Sequence, residues 1–102
     1  MKNQILKTST VVTAKDQVSC ELAGEAVILH LKSGVYYGLS PVGARVWSLI
    51  QAPRLVSEVL GMILEEYEVE PDRCENDLFV LLQELAVGEL IEVQVETNDA
   101  AR

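Results

Sequence analysis

Val35-Tyr36-Tyr37-Gly38-Leu39-Ser40-Pro41-Val42-Gly43-Ala44-Arg45-Val46-Trp47 holds the junction that decides how this chain folds. It reads as a short strand running straight into a capped helix. Tyr36 and Tyr37 suit the half-buried surface of a sheet. Ser40 can accept from the first free amides of a helix, and Pro41 fits the first helical position, where its missing N–H has no partner to lose. Val42, Val46, Leu49 and Ile50 then recur at helical spacing, with Trp47 beside them.

On the N-terminal side, Val18, Cys20 and Leu22 alternate with Ser19 and Glu21, the period of a strand. Ala23-Gly24-Glu25 marks a turn, Glu25 to Leu31 a second strand, Lys32-Ser33-Gly34 another turn, and Val35 to Leu39 a third strand. Short strands joined this tightly make an antiparallel meander. Residues 1–16 carry no sustained pattern and are expected to form a flexible tail, although Val11-Val12-Thr13 has strand composition.

On the C-terminal side the pattern is helical. The first helix is expected over Pro41 to Gln51, stopped by Ala52-Pro53. The second runs from Leu55, a poor cap, to Tyr67, with Val56, Val59, Leu60, Ile63 and Leu64 on one face. The third starts at Pro71-Asp72 and ends near Val87, with Gly88 suited to the left-handed cap position. Leu90 to Val95 is a strand-like return, and residues 96–102 are expected to fray. Residues 17–95 thus read as one α+β domain: a three-stranded antiparallel β-meander followed by a three-helix winged helix-turn-helix.

Composition narrows the function. The 102 residues are 49% hydrophobic with mean hydropathy +0.20, which describes one globular domain. No apolar run approaches the roughly 18 residues that would span a bilayer. Met1 to Lys15 lacks the apolar centre of a secretion signal, so the expected location is the cytoplasm, with no membrane partner. Cys20 and Cys74 lie far apart and read as structural thiols. His30 has no metal-ligand companion at useful spacing and is expected on the polar side of its strand, so neither a metal nor a cofactor is expected.

The net charge is −8, and between Glu58 and Asp99 the basic residue is Arg73. That balance disfavours nucleic acid, whose phosphates require clustered Lys and Arg. A winged-helix DNA-binding regulator is the alternative reading of the architecture. It needs basic side chains on the third helix or the wing, where this chain carries Asp72, Glu75, Asp77, Glu84, Glu89 and Glu92. No catalytic residue set stands at an interpretable spacing, so no enzyme is expected.

The third helix is unusually apolar. Cys74, Leu78, Leu81 and Leu85 form one stripe, Phe79, Leu82 and Ala86 a second, and Val80 and Val87 occupy another side. Either the helix is central and packed all round, or part of it lines a groove for an apolar ligand. The last strand of a meander has an unpaired edge, here Gly34, Val35, Tyr36, Tyr37, Gly38 and Leu39, with no protecting Lys or Pro. Gly38 offers no side chain to obstruct a second backbone. An extended peptide can pair there and set alternate side chains against Cys74, Asp77, Leu78, Val80, Leu81 and Glu84, which is β-augmentation. Leu39 should face the core with Val35 and Tyr37 on its side and Tyr36 opposite, although either tyrosine can equally serve plain sheet packing. Asp77 and Glu84 would give the groove an acidic rim suited to a peptide with Lys or Arg nearby.

Three segments together carry a resemblance. They are Val35-Tyr36-Tyr37-Gly38-Leu39-Ser40 with Trp47, the second helix ending in Glu65-Glu66-Tyr67-Glu68-Val69, and Asp77 to Leu85 leading to Gly88-Glu89-Leu90-Ile91. In order and spacing the chain, over roughly Val18 to Val93, resembles the PqqD-like recognition elements of ribosomally synthesised, modified peptides. The resemblance implies three strands and three helices, no chemistry of its own, and a precursor leader peptide bound as an added strand between the third strand and the third helix. Within that family it is most similar to the free-standing leader-binding proteins of lasso-peptide biosynthesis. Their partners would be a leader-removing cysteine protease and an asparagine-synthetase-like, ATP-using cyclase, and the leader would often carry a Tyr-x-x-Pro element. Ser40 stands where Asn is more usual, and the second helix lacks the usual Thr or Ser at its start.

Overall fold

The computed structural model describes residues 4–94. In chain order the elements are β1 (Thr10–Thr13), β2 (Gln17–Leu22), β3 (Glu25–His30), β4 (Tyr36–Leu39), α1 (Pro41–Leu49), β5 (Arg54–Leu55), α2 (Val56–Glu66), α3 (Pro71–Val87) and β6 (Ile91–Gln94). The strands form two antiparallel three-stranded sheets, ordered β2-β3-β4 and β5-β1-β6. The α+β class stands.

The meander forms where the alternation places it. Ala23 and Gly24 both take positive φ, 55° and 81°, the pair of left-handed residues that a two-residue hairpin turn needs to match strand twist. Register then follows: Leu22 faces Glu25, and Val18 faces Leu29. The second turn is longer than expected. Gly34 (φ 73°) donates to the His30 carbonyl, so β3 stops at His30 and β4 begins at Tyr36, leaving Gly34 and Val35 outside the strand.

At the decisive junction Ser40 Oγ accepts from the Gly43 N–H at 3.3 Å, and Pro41 is the first helical residue. Trp47 is buried, and its indole N–H donates to Ser19 Oγ at 3.1 Å, tying α1 to β2. α2 starts after Leu55, which has no side-chain acceptor; the Glu58 carboxylate instead accepts from the Leu55 N–H at 3.2 Å. An exposed ion pair joins α1 to the end of α2: Arg45 donates twice to Glu66, at 2.8 Å each. That bond holds the Glu66 carboxyl below its usual range and raises the guanidinium.

Several expectations are corrected. The N-terminal segment is not a loose tail over its described part. Ile5, Ser9 and Val11 are buried, and β1 is the central strand of the second sheet, pairing with β5 on one side and β6 on the other. Its partners lie 43 to 84 residues away in sequence (Thr10 faces both Leu55 and Gln94), so no local alternation reveals it. The expected strand-like return is β6, and its partner is β1.

His30 is buried on the inner face, not on a polar side; its Nδ1 lies 3.0 Å from Ser33 Oγ and accepts from the Ser33 N–H at 3.2 Å. Gly88 is not left-handed (φ −79°); Glu89 is, at 61°. Gly88 is small for another reason: a Cβ there would lie 2.7 Å from the Tyr37 hydroxyl. The core face of α3 is Leu78, Leu82 and Leu85, while Cys74 and Leu81 are only half-buried. The expected fraying of residues 96–102 lies outside the described residues.

Candidate peptide-binding site

Among the described residues β4 pairs with β3 on one side only, which makes it an edge strand. Antiparallel ladders alternate: every second residue exchanges its N–H and C=O with the partner, and the residues between point theirs outward. The His30 N–H donates to the Val35 carbonyl, and Ile28 faces Tyr37 while Ala26 faces Leu39. Tyr37 and Leu39 thus spend their backbone groups on β3. Tyr36 and Gly38 direct theirs to the open edge.

Beside that edge lies a groove of about 720 Å³. Gly38, Leu39 and Ser40 form one wall, and α3 supplies the other through Cys74, Asp77, Leu78, Leu81 and Glu84. These five recur at helical spacing along one face. Val42 and Val46 of α1, Ile63 of α2 and Tyr67 just beyond it complete the lining. The interior is apolar, and charge sits at the rim on Glu70, Arg73, Asp77 and Glu84. Arg73 lies 3.8 Å from Asp77, an exposed pair one helical turn apart. Burial, and secondarily the charge of Asp77, pushes the Cys74 thiol up, which keeps it a neutral apolar contact.

The groove gathers Gly38, Leu39, Cys74, Asp77, Leu78, Leu81 and Glu84 of the expected set. Tyr37 lines a smaller adjoining hollow of about 310 Å³ with Gln83, Glu84, Val87 and Gly88. As expected, Leu39 and Tyr37 share a side and Tyr36 is opposite, 68% exposed. Gly34, Val35, Tyr36 and Val80 line neither cavity. The sequence reading missed Val42, Val46, Ile63, Tyr67 and Val69. Each looks like an ordinary core position of its own helix or connector, and only packing brings them to the groove. Among the described residues no group of three or more His, Cys, Asp or Glu side chains could hold a metal ion. No described helix is long and apolar enough to cross a membrane.

An open strand edge beside a groove is the arrangement to which an extended peptide can add as a further strand. The family model described as coenzyme PQQ synthesis protein D (PqqD) matches residues 25–91, from β3 to the start of β6, and the chain belongs to the PqqD family. It is also similar to a solved structure of TbiB1 in complex with the TbiA(beta) leader peptide. The two are 36% identical with a TM-score of 0.75, over 83% of this chain and 99% of that one. No curated protein matches the chain.

Proposed function

We propose that this chain binds, without chemistry of its own, the leader segment of a ribosomally synthesised precursor peptide. The leader adds as a strand to the open edge of β4 and lies between β4 and α3. The carrying observation is the likeness to TbiB1, a protein solved with a leader peptide, in a chain whose own β4 edge borders an apolar groove. Outward backbone groups at Tyr36 and Gly38 supply the pairing, and the Leu39, Leu78 and Leu81 side chains supply the apolar contact. The family resemblance extends the reading to lasso-peptide biosynthesis. The bound leader, with its Tyr-x-x-Pro element, would be handed to a leader-removing cysteine protease and an asparagine-synthetase-like cyclase.

The sheet offers a surface for that hand-over. By register, Val18, Cys20 and Leu22 of β2, Val27 and Leu29 of β3 and Tyr36 of β4 share the outer face. Val18 and Leu22 are 52% and 72% exposed. An added strand would carry the same face one strand further, so a processing enzyme docking there would meet leader and carrier together.

The test is titration of the purified chain with a synthetic leader containing Tyr-x-x-Pro, followed by amide exchange. Saturable binding with slowed exchange at Tyr36 and Gly38 is expected. Saturable binding that leaves those amides unchanged would move the site elsewhere. Tight binding of nonspecific duplex DNA at low salt, with no peptide binding, would favour the regulator reading.

A further inference from the structure

The groove is not uniform along its length. Tyr37 stands at one end with its hydroxyl against Gly88, at the C-terminal end of α3. Leu39 and Ser40 share the larger groove with Cys74, Leu78 and Leu81, nearer the N-terminal end of α3, whereas Tyr37 shares the smaller hollow with Gln83, Glu84, Val87 and Gly88. β4 and α3 therefore pass each other in opposite senses. The step from Tyr37 to Leu39 spans about 6.6 Å of strand, and the step from Glu84 to Leu81 and Leu78 spans about 4.5–9 Å of helix. The two ladders keep pace.

Residues directly opposite one another on neighbouring strands put their side chains on the same face. Leader residues opposite Tyr37 and Leu39 would thus point toward α3, and they are two residues apart. The one opposite Leu39 meets Leu78 and Leu81. The one opposite Tyr37 meets Glu84, which lines both the groove and the adjoining hollow. Glu84 has no basic side chain within 4.0 Å among the described residues, whereas Asp77 already has Arg73.

We propose that Glu84 is a specificity-determining residue: the groove selects a strand with a basic side chain two residues from a large apolar one. The basic residue sits at Glu84, and the apolar one sits between Leu39, Leu78 and Leu81. This rests on the strand-addition reading and fixes which leaders that site prefers.

Selection of random dodecapeptides by display on the purified chain tests it without a known leader. The wild type should enrich Lys or Arg two positions from a large apolar residue. Glu84→Lys should reverse the preference to Asp or Glu, each mismatch weakening a selected peptide about two- to fivefold, as for an exposed ion pair. Glu89→Lys changes the net charge equally but lies outside both cavities, and should leave the preference intact. Apolar enrichment without a basic residue at that spacing, or an equal shift by Glu89→Lys, overturns the assignment of Glu84 while leaving strand addition standing. Enrichment of no peptide at all overturns strand addition itself, and this proposal with it.

Discussion

The two sheets of this molecule are built from different kinds of contact. The β2-β3-β4 sheet joins neighbours in sequence through two short turns, whereas β5-β1-β6 gathers residues 10–13, 54–55 and 91–94 from across the chain. The local sheet shows much of its outer face and, among the described residues, has two unpaired edges, β2 and β4, whereas the dispersed sheet is anchored by Val11 and Ile91 in the core. Closing long loops costs entropy that only dense burial offsets, so the dispersed sheet has to be packed. The local sheet, held by its turns and by the inner face of β3, can leave surfaces free for a ligand. Both sheets feed the core, the local one through Ala26, Ile28 and Leu39 and the dispersed one through Val11 and Ile91, but the proposed recognition edge belongs to the local sheet.

That division can be broken by experiment. Val11→Asp places a charge at the centre of the dispersed sheet and should cost at least about 3 kcal/mol. Val18→Asp, exposed on the local sheet, should change stability by no more than about 0.5 kcal/mol. Urea unfolding of the two variants compares them, and equal losses would erase the distinction. Gly38→Pro removes an N–H that points to the open edge, not to β3. It should leave the fold intact and weaken leader binding about tenfold or more, read by calorimetry. Unchanged affinity would mean the edge is not used.

Leu81→Asp should weaken the leader complex by a similar factor, while Val80→Asp, outside the groove, should not. The combined Val18→Asp and Leu22→Asp variant should bind leader normally yet slow its removal by the purified cysteine protease; normal turnover would move the docking surface. The smallest effect belongs to Arg45→Ala. Because Arg45 holds the Glu66 carboxyl below its usual range, the pair's contribution is complete above the ordinary glutamate range and disappears as pH falls through the depressed value. The difference in urea midpoint between wild type and Arg45→Ala should therefore vanish in acid, and it should be modest at neutral pH because the pair is exposed.

Much of the local sheet was legible because its information is local. The alternation of Val18, Cys20 and Leu22, the turn at Ala23-Gly24 and the cap at Ser40-Pro41 each act within a few residues. The site was legible in part for the same reason. An edge follows from a meander that ends, and the Cys74–Leu81 stripe follows from helical period. Val80 was drawn into the candidate set because periodicity tells how faces are spaced, not which neighbour each face meets. Gly88 was read as a backbone residue, whereas its smallness answers to Tyr37, a residue 51 positions earlier.

By itself the sequence determined the α+β class, the meander, the helix boundaries to within a few residues and the absence of a basic surface on α3. All of these rest on short-range sterics, capping and periodicity. Tertiary structure alone decided that Ile5, Ser9 and Val11 are buried, that β1 joins β5 to β6, and that residues of α1 and α2 line the groove. Those outcomes depend on which distant apolar surfaces find each other, and burial is not directional: many pairings satisfy the same pattern until the whole chain is packed.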